Sequence, residues 1–319
     1  MTAPVRQGTW RRRRAEQPVV PDAEFTSYYG RPVIKEPVWQ APDVAGYLFF
    51  GGLAGASSVL AASAHLSGHR DVARVAKLTA LGAISLSAAA LVHDLGRPAR
   101  FTNMLRVFKP SSPMSVGSWL LAGYGPVAGA AAVSEVTGIL PAAGTAATLG
   151  AGLLGPAVAT YTAALICDTA VPAWHAGYRE MPYVFAGSAA SAAGGMGLLA
   201  TAPDAAEPAR RLAVLGACVE LVAKRRLIRR LAATPGPASL AEPYETGRTG
   251  AVFRVAEALT AGGLAGALLG RRSRALSALA GASLLAASAL TRFGIFEAGM
   301  ASARDPKYTI VPQRHRGAE

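Results

Sequence analysis

The chain has 319 residues, of which 51% are hydrophobic and 16% charged, with a mean hydropathy of +0.30. Ordinary soluble domains carry roughly 25% charged residues, and the apolar residues here fall in blocks near the ~20 residues that cross a bilayer, which excludes a conventional soluble enzyme. The formal net charge of +13 does not point to nucleic acid, because the basic residues lie in short loops and tails between apolar blocks, where they act as topology signals.

In chain order, residues 1–40 form an extended tail. "RRRR" (11–14) is followed by the polar, Pro-broken "AEQPVVPDAEF", which is neither a secretory nor a twin-arginine signal. Pro18, Pro21, Pro32 and Pro37 keep the tail from forming a long helix. Eight apolar segments follow, at 42–66, 76–95, 114–135, 145–167, 182–201, 209–228, 251–269 and 274–297. The sixth is the weakest, since "KRRLIRR" (224–230) ends its apolar stretch early and those cations must snorkel to an interface. The expected fold is therefore all-α: a polytopic membrane bundle of eight helices over 41–298, with a C-terminal tail at 299–319. No internal repeat is evident. Eight spans put both termini on one side. Loops on that side hold 22 Lys and Arg against 8 on the other, which predicts cytoplasmic termini in a bacterial inner membrane.

That topology gathers three polar stretches at one face: "KEPVWQAPDVAGYLFFGG" (35–52), "HDLGRPARFTNML" (93–105) and "DTAVPAWHAGYREMPYVFAGSAA" (168–190). In the first, Asp43 and Tyr47 are one helical turn apart. In the second, Asp94 closes the second span beside His93. A carboxylate just inside lipid either handles protons or is neutralised by a nearby cation, and Arg97 and Arg100 are spaced to do so; both readings stand. Ser111 or Ser112 is placed to cap a helix opening at Pro113, with Trp119 in the aromatic belt. In the third, Pro172 breaks the helix four residues after Asp168, and Trp174, His175, Tyr178, Arg179 and Tyr183 follow. Broken backbone at membrane depth is tolerated where it is buried or lines a cavity, and a His and an Asp there suit a quinone carbonyl and its proton. The competing reading is an interfacial loop with belt aromatics. Among acids and bases inside the later spans, Arg254 and Glu257 (i, i+3) are expected to neutralise each other.

Cys167 and Cys218 are read as core thiols, and no CxxC or four-cysteine set is present to hold an iron–sulfur cluster. A bis-His haem needs facing imidazoles; only His65 and His93 lie near span interiors, and they are expected at opposite faces. No haem and no protein-bound metal are expected.

The motifs "DLGRPARF…SSPMSVGSW", "DTAVPAWH…PYVFAGSAA" and "PVW…YLFFGGLAG" together resemble the NrfD/polysulfide-reductase membrane-subunit family, from about Tyr28 through the fifth span. "YYGRPVIKEPVW" (28–39) is also similar to members found beside formate dehydrogenases. The resemblance implies a haem-free subunit that is not catalytic for the primary substrate. It would act as a quinone reductase or quinol dehydrogenase, exchanging electrons between a ferredoxin-like iron–sulfur partner and membrane quinone. A molybdopterin (Mo or W) subunit would carry the primary chemistry. Formate is the expected substrate and menaquinone the expected acceptor, with membrane lipid surrounding the chain. Carried onto this sequence, the implied catalytic residues are Asp94, Asp168 and His175. Asp43, Tyr47 and His93 would bind quinone; read from the residues themselves, Trp174 would also bind it by packing on its ring, and Arg97, Arg100, Arg106 and Arg179 would form a basic surface that docks the partner. Two alternatives remain: a quinol-oxidising subunit of a polysulfide- or nitrite-type reductase, and, from another class, a proton or solute transporter, which would show midplane helix breaks and internal repeats.

Overall fold

The computed structural model describes residues 33–96, 103–233 and 239–310. All regular structure among them is helical. The long helices are α1 (Ala41–Leu66), α2 (Arg70–Asp94), α3 (Pro113–Thr137), α4 (Pro141–Cys167), α6 (Met181–Ala200), α7 (Glu207–Ala232), α9 (Gly247–Leu269) and α10 (Arg274–Arg304). Two short ones, α5 (Pro172–Ala176) and α8 (Glu242–Glu245), lie between them. The eight long helices coincide with the eight apolar segments. α10 continues through Arg304, past the boundary at 298 that hydropathy suggests.

Helix starts are written in the sequence largely as proline. α1, α3, α4, α5, α6, α7 and α8 all carry Pro in their first two positions, where the missing N–H costs nothing. Ser112 caps α3 by accepting the Ser115 N–H at 3.5 Å, and Ser273 caps α10 by accepting that of Leu276.

Seven of the eight helices are long and apolar enough to cross a membrane; α7 is not, by composition. The structure shows why its hydropathy is low. Arg210, Glu220 and Lys224 are buried on its inner face, while Leu215, Cys218 and Val222 form its exposed middle. The charges of α7 are turned inward or kept near its ends, so its outer middle is as apolar as that of its neighbours. Cys218, expected as a core thiol, is exposed on that outer face; Cys167 is buried.

Small residues let the helices close on one another. At Gly187 on α6 a Cβ would stand 2.9 Å from the Gly216 carbonyl of α7 and 2.5 Å from the Glu220 nitrogen, so that crossing requires glycine. Polar ties add direction. The Tyr124 hydroxyl of α3 donates to the Ala54 carbonyl of α1 at 2.7 Å, and Lys77 of α2 meets Glu135 of α3 at 2.7 Å.

The helices pack in an order that recurs. α1 packs on α2 and α4, and α3 on α4; likewise α6 packs on α7 and α10, and α9 on α10. The halves meet through α1 against α6, with α1 on α10 and α4 on α6 to either side. The sequence shows no repeat because the shared feature is helix order, while the side chains on equivalent helices have diverged.

Candidate functional site

The start of α1, end of α2, start of α3 and end of α4 come together at one end of the bundle. There they enclose a cavity of about 150 Å³ whose wall includes Trp39, Tyr47, Leu91, Asp94, Ser118 and Tyr161. Apolar side chains, among them Leu48, Leu121 and Ile166, make up most of the remainder. Asp94 is half-buried and takes the backbone N–H of Gln40, the residue preceding α1, as a partner. The Tyr47 and Tyr161 hydroxyls, from α1 and α4, hydrogen-bond to each other.

Asp43 and His93 stand beside this cavity. His93 Nδ1 lies 3.0 Å from both carboxylate oxygens of Asp43, with the imidazole 76% exposed and the carboxylate 15% exposed. Both side chains neighbour the Asp94 carboxyl. Four of the residues singled out in the sequence, Asp43, Tyr47, His93 and Asp94, are thus assembled within two helix ends. His65 hydrogen-bonds Thr145 near the opposite end of α1. Among the described residues no three His, Cys, Asp or Glu side chains gather to hold a metal ion.

The Asp168–His175 stretch is arranged differently. The α4 helix ends at Cys167 and α5 begins at Pro172, as the proline break predicts. Asp168 and His175 are exposed, and the His175 ring nitrogen Nδ1 lies 3.1 Å from the Cys167 carbonyl. Trp174 is fully buried and donates its indole N–H to the Ile295 carbonyl of α10 at 2.7 Å. It does not line the cavity. It stacks on Trp39, with ring centroids 5.8 Å apart, and Trp39 in turn forms part of the cavity wall. The indole fits because Gly299 presents no side chain where Trp174 lies.

Arg106 is exposed in the segment before α3, and Arg179 is exposed before α6, its Nε donating to the Tyr178 hydroxyl at 2.9 Å. Arg97 and Arg100, and with them the expected lock on Asp94, lie outside the described residues. The expected Arg254–Glu257 pair does not form. Arg254 donates to the Glu245 carbonyl at 3.2 Å, and Glu257 faces Arg225 of α7 at 3.5 Å, because α9 packs against α7 and the turn before α9 lies closer to Arg254.

Further ties hold this end together. Arg230 of α7 grips Glu180, its Nε lying 2.7 and 2.9 Å from the two carboxylate oxygens. The Tyr244 hydroxyl donates to the Ala173 carbonyl at 3.0 Å. Lys307 reaches Glu242 at 2.9 Å, a hydrogen bond that holds the Glu242 carboxyl below and the Lys307 ammonium above their ordinary ranges.

Sequence reasoning did not single out Trp39, Ser118 or Tyr161 as cavity residues. Tyr161 lies between Thr160 and Thr162 inside a largely apolar run, and nothing local marks its hydroxyl as the one that faces a cavity. A second polar cluster, deep between α6, α7 and α10, was also not assigned a role. Glu220, fully buried, accepts the Thr291 hydroxyl at 2.9 Å and pairs with Lys224 at 2.8 Å; Ser191 approaches its other oxygen at 3.3 Å. The neighbouring Arg292 guanidinium lies over the Phe185 ring at 3.7 Å and donates to the Phe185 carbonyl at 2.9 Å.

A helical bundle with seven membrane-length apolar helices defines a polytopic membrane protein, and the small cavity at one end carries a carboxyl and two phenols in its wall. The chain belongs to the family described as Polysulphide reductase, NrfD, whose model matches residues 33–207, more than half its length. Membership implies a membrane subunit of an oxidoreductase complex that interacts with quinone. Among curated proteins, none matches the chain. The matched region ends as α7 begins, so it contains the whole cavity and leaves out three of the four helices of the second half.

Proposed function

We propose that the chain is the quinone-reactive membrane anchor of a respiratory complex, passing electrons between an iron–sulfur partner and quinone at the cavity bounded by Tyr47, Asp94 and Tyr161. The observation that carries this reading is Asp94 itself: a half-buried carboxyl in the wall of a mostly apolar cavity, next to an ion pair that reaches the surface. Quinone supplies two-electron, two-proton chemistry when bound. Asp94 holds or accepts the proton at a carbonyl oxygen, and general acid–base transfer from a positioned group accelerates such steps by about 10²–10⁴-fold. The phenol pair of Tyr47 and Tyr161 hydrogen-bonds the substrate's polar edge, and Trp39 covers its ring face. Asp43 and the exposed His93 carry protons between Asp94 and water, a task suited to an imidazole because its two ring nitrogens can take a proton on one side and release it on the other.

Trp174 acts through Trp39 as a positioning residue. Asp168 and His175, both exposed, belong in this reading to the surface facing the iron–sulfur partner, with Arg97, Arg100 and Arg106 supplying complementary charge. The partners are a ferredoxin-like subunit and a molybdopterin subunit for which formate is the substrate, the quinone is menaquinone, and the docking face with both termini is cytoplasmic. The similarity of residues 28–39 to formate-dehydrogenase-associated members and the bias of basic residues toward this face support these finer assignments. Asp94→Asn in the assembled complex tests the site. Quinone-coupled turnover should fall about 10²-fold or more while artificial-acceptor activity of the partner subunits is retained; unchanged quinone turnover would overturn the assignment.

A further inference from the structure

A groove of about 470 Å³ runs along the outside of the bundle between the start of α6 and α7, away from the quinone cavity. On α7 its floor follows Cys218, Val222 and Arg226, successive i, i+4 positions that form one stripe. At a rise of 1.5 Å per residue this stripe spans about 12 Å, from the outer middle of the helix toward its C-terminal turns. Across the groove stand Tyr183 and Arg179. Val222 and Tyr183 are 51% and 64% exposed, so both face whatever surrounds the protein.

The charge arrangement is one-sided. Glu180, the one acid in the wall, is held by Arg230. Arg179 uses its Nε on Tyr178 and has no acidic partner among the described residues; Arg226 has neither a hydrogen bond nor an ion pair there. Two guanidinium groups without counter-ions thus close the end of a groove that is apolar for the rest of its length. We propose that this groove binds an anionic phospholipid, with the phosphate on Arg179 and Arg226 and one acyl chain along Val222 and Cys218. Guanidinium is the cation best suited to phosphate, which it meets with paired hydrogen bonds. The lipid would seal α7, the helix with the most inward charge, against the first turn of α6, and Arg179 would serve the lipid headgroup rather than the partner protein.

The test is native mass spectrometry of the full-length chain in its complex, titrated with phosphatidylglycerol or phosphatidylcholine. The wild type should retain phosphatidylglycerol preferentially, and Arg179→Gln with Arg226→Gln should weaken that binding about thirtyfold, given the usual strength of basic side chains near an anionic headgroup. Arg179→Lys with Arg226→Lys should recover part of it. Val222→Trp, which fills the groove and leaves both cations, should also reduce retention. Maleimide labelling of Cys218 should slow in phosphatidylglycerol nanodiscs relative to phosphatidylcholine ones. Equal retention of the two lipids, or a Gln double variant that melts like the wild type and binds phosphatidylglycerol equally well, would overturn the proposal. Displacement of the lipid by millimolar inorganic phosphate would do the same, since the site would then be one for free phosphate.

Discussion

The two halves of the molecule use the same kinds of side chain to opposite ends. In the first half, Asp94, Asp43 and His93 sit at a helix-end cavity, and the imidazole is mostly in solvent. In the second, Glu220 is fully buried between α6, α7 and α10, where Lys224, Thr291 and Ser191 surround its carboxylate; Lys224 also borders an outward-opening cavity between α7 and α9. A carboxyl at a helix-end cavity can be reached from water, whereas a fully buried one is costly to leave unpaired. Access, more than residue type, distinguishes the candidate site from the structural lock at Glu220.

Breaking the lock should produce the largest effect on stability. Lys224→Met removes the ion-pair partner of buried Glu220 and leaves it hydrogen-bonded only by hydroxyls, with Arg292 nearby; the expected loss is about 3–5 kcal/mol, seen as a lower melting temperature or failed assembly in detergent. A melting temperature equal to the wild type would mean that Glu220 is not held as described. Gly299→Leu drives a side chain into the place of the Trp174 indole. Overpacking of this kind costs roughly 1–3 kcal/mol, and because Trp174 supports Trp39, quinone affinity should fall along with stability. His93→Ala, at the exposed end of the comparison, should change the melting temperature by less than about 1 kcal/mol equivalent and yet slow quinone turnover most in weakly buffered medium, where a surface relay matters. The smallest effect concerns the C-terminal segment. Glu242 has a lowered pKa in the folded chain, so its tie to Lys307 is intact above the ordinary glutamate range and lost as pH falls through the lowered value. Limited proteolysis after residue 304 should therefore increase only at strongly acidic pH.

Much of the fold was legible in the sequence because helix length, apolar blocks and N-terminal prolines are local signals. All eight long helices follow the apolar blocks, and five of them, α1, α3, α4, α6 and α7, carry a proline in their first two positions. The candidate site was legible in part: Asp43, Tyr47, His93 and Asp94 are polar groups at the ends of apolar runs, where such groups stand out. Tyr161 and Trp39 were harder to read, since each becomes a cavity residue only through packing of helices distant in sequence. The Asp168–His175 stretch shows the same limit from the other side. Its composition does not show that Trp174 turns into the bundle toward Ile295 while Asp168 and His175 are exposed. The outcome for α7 has a similar origin. Average hydropathy counts Arg210, Glu220 and Lys224 against it, although three-dimensional packing turns them away from its outer face. The pairing of Glu257 with Arg225 in place of Arg254 was likewise set by a neighbouring helix.

The central claim is that quinone is bound in the first-half cavity, at Asp94. Photolabelling of the purified complex with an azido-quinone, followed by peptide mapping, tests it most directly. Adducts should concentrate in residues 39–48, 91–95 and 161–166, and should be suppressed by excess quinone and by Asp94→Asn. Quinone-protectable adducts confined to residues 168–183 or to α7 and α9, with the cavity segments unlabelled, would contradict the account.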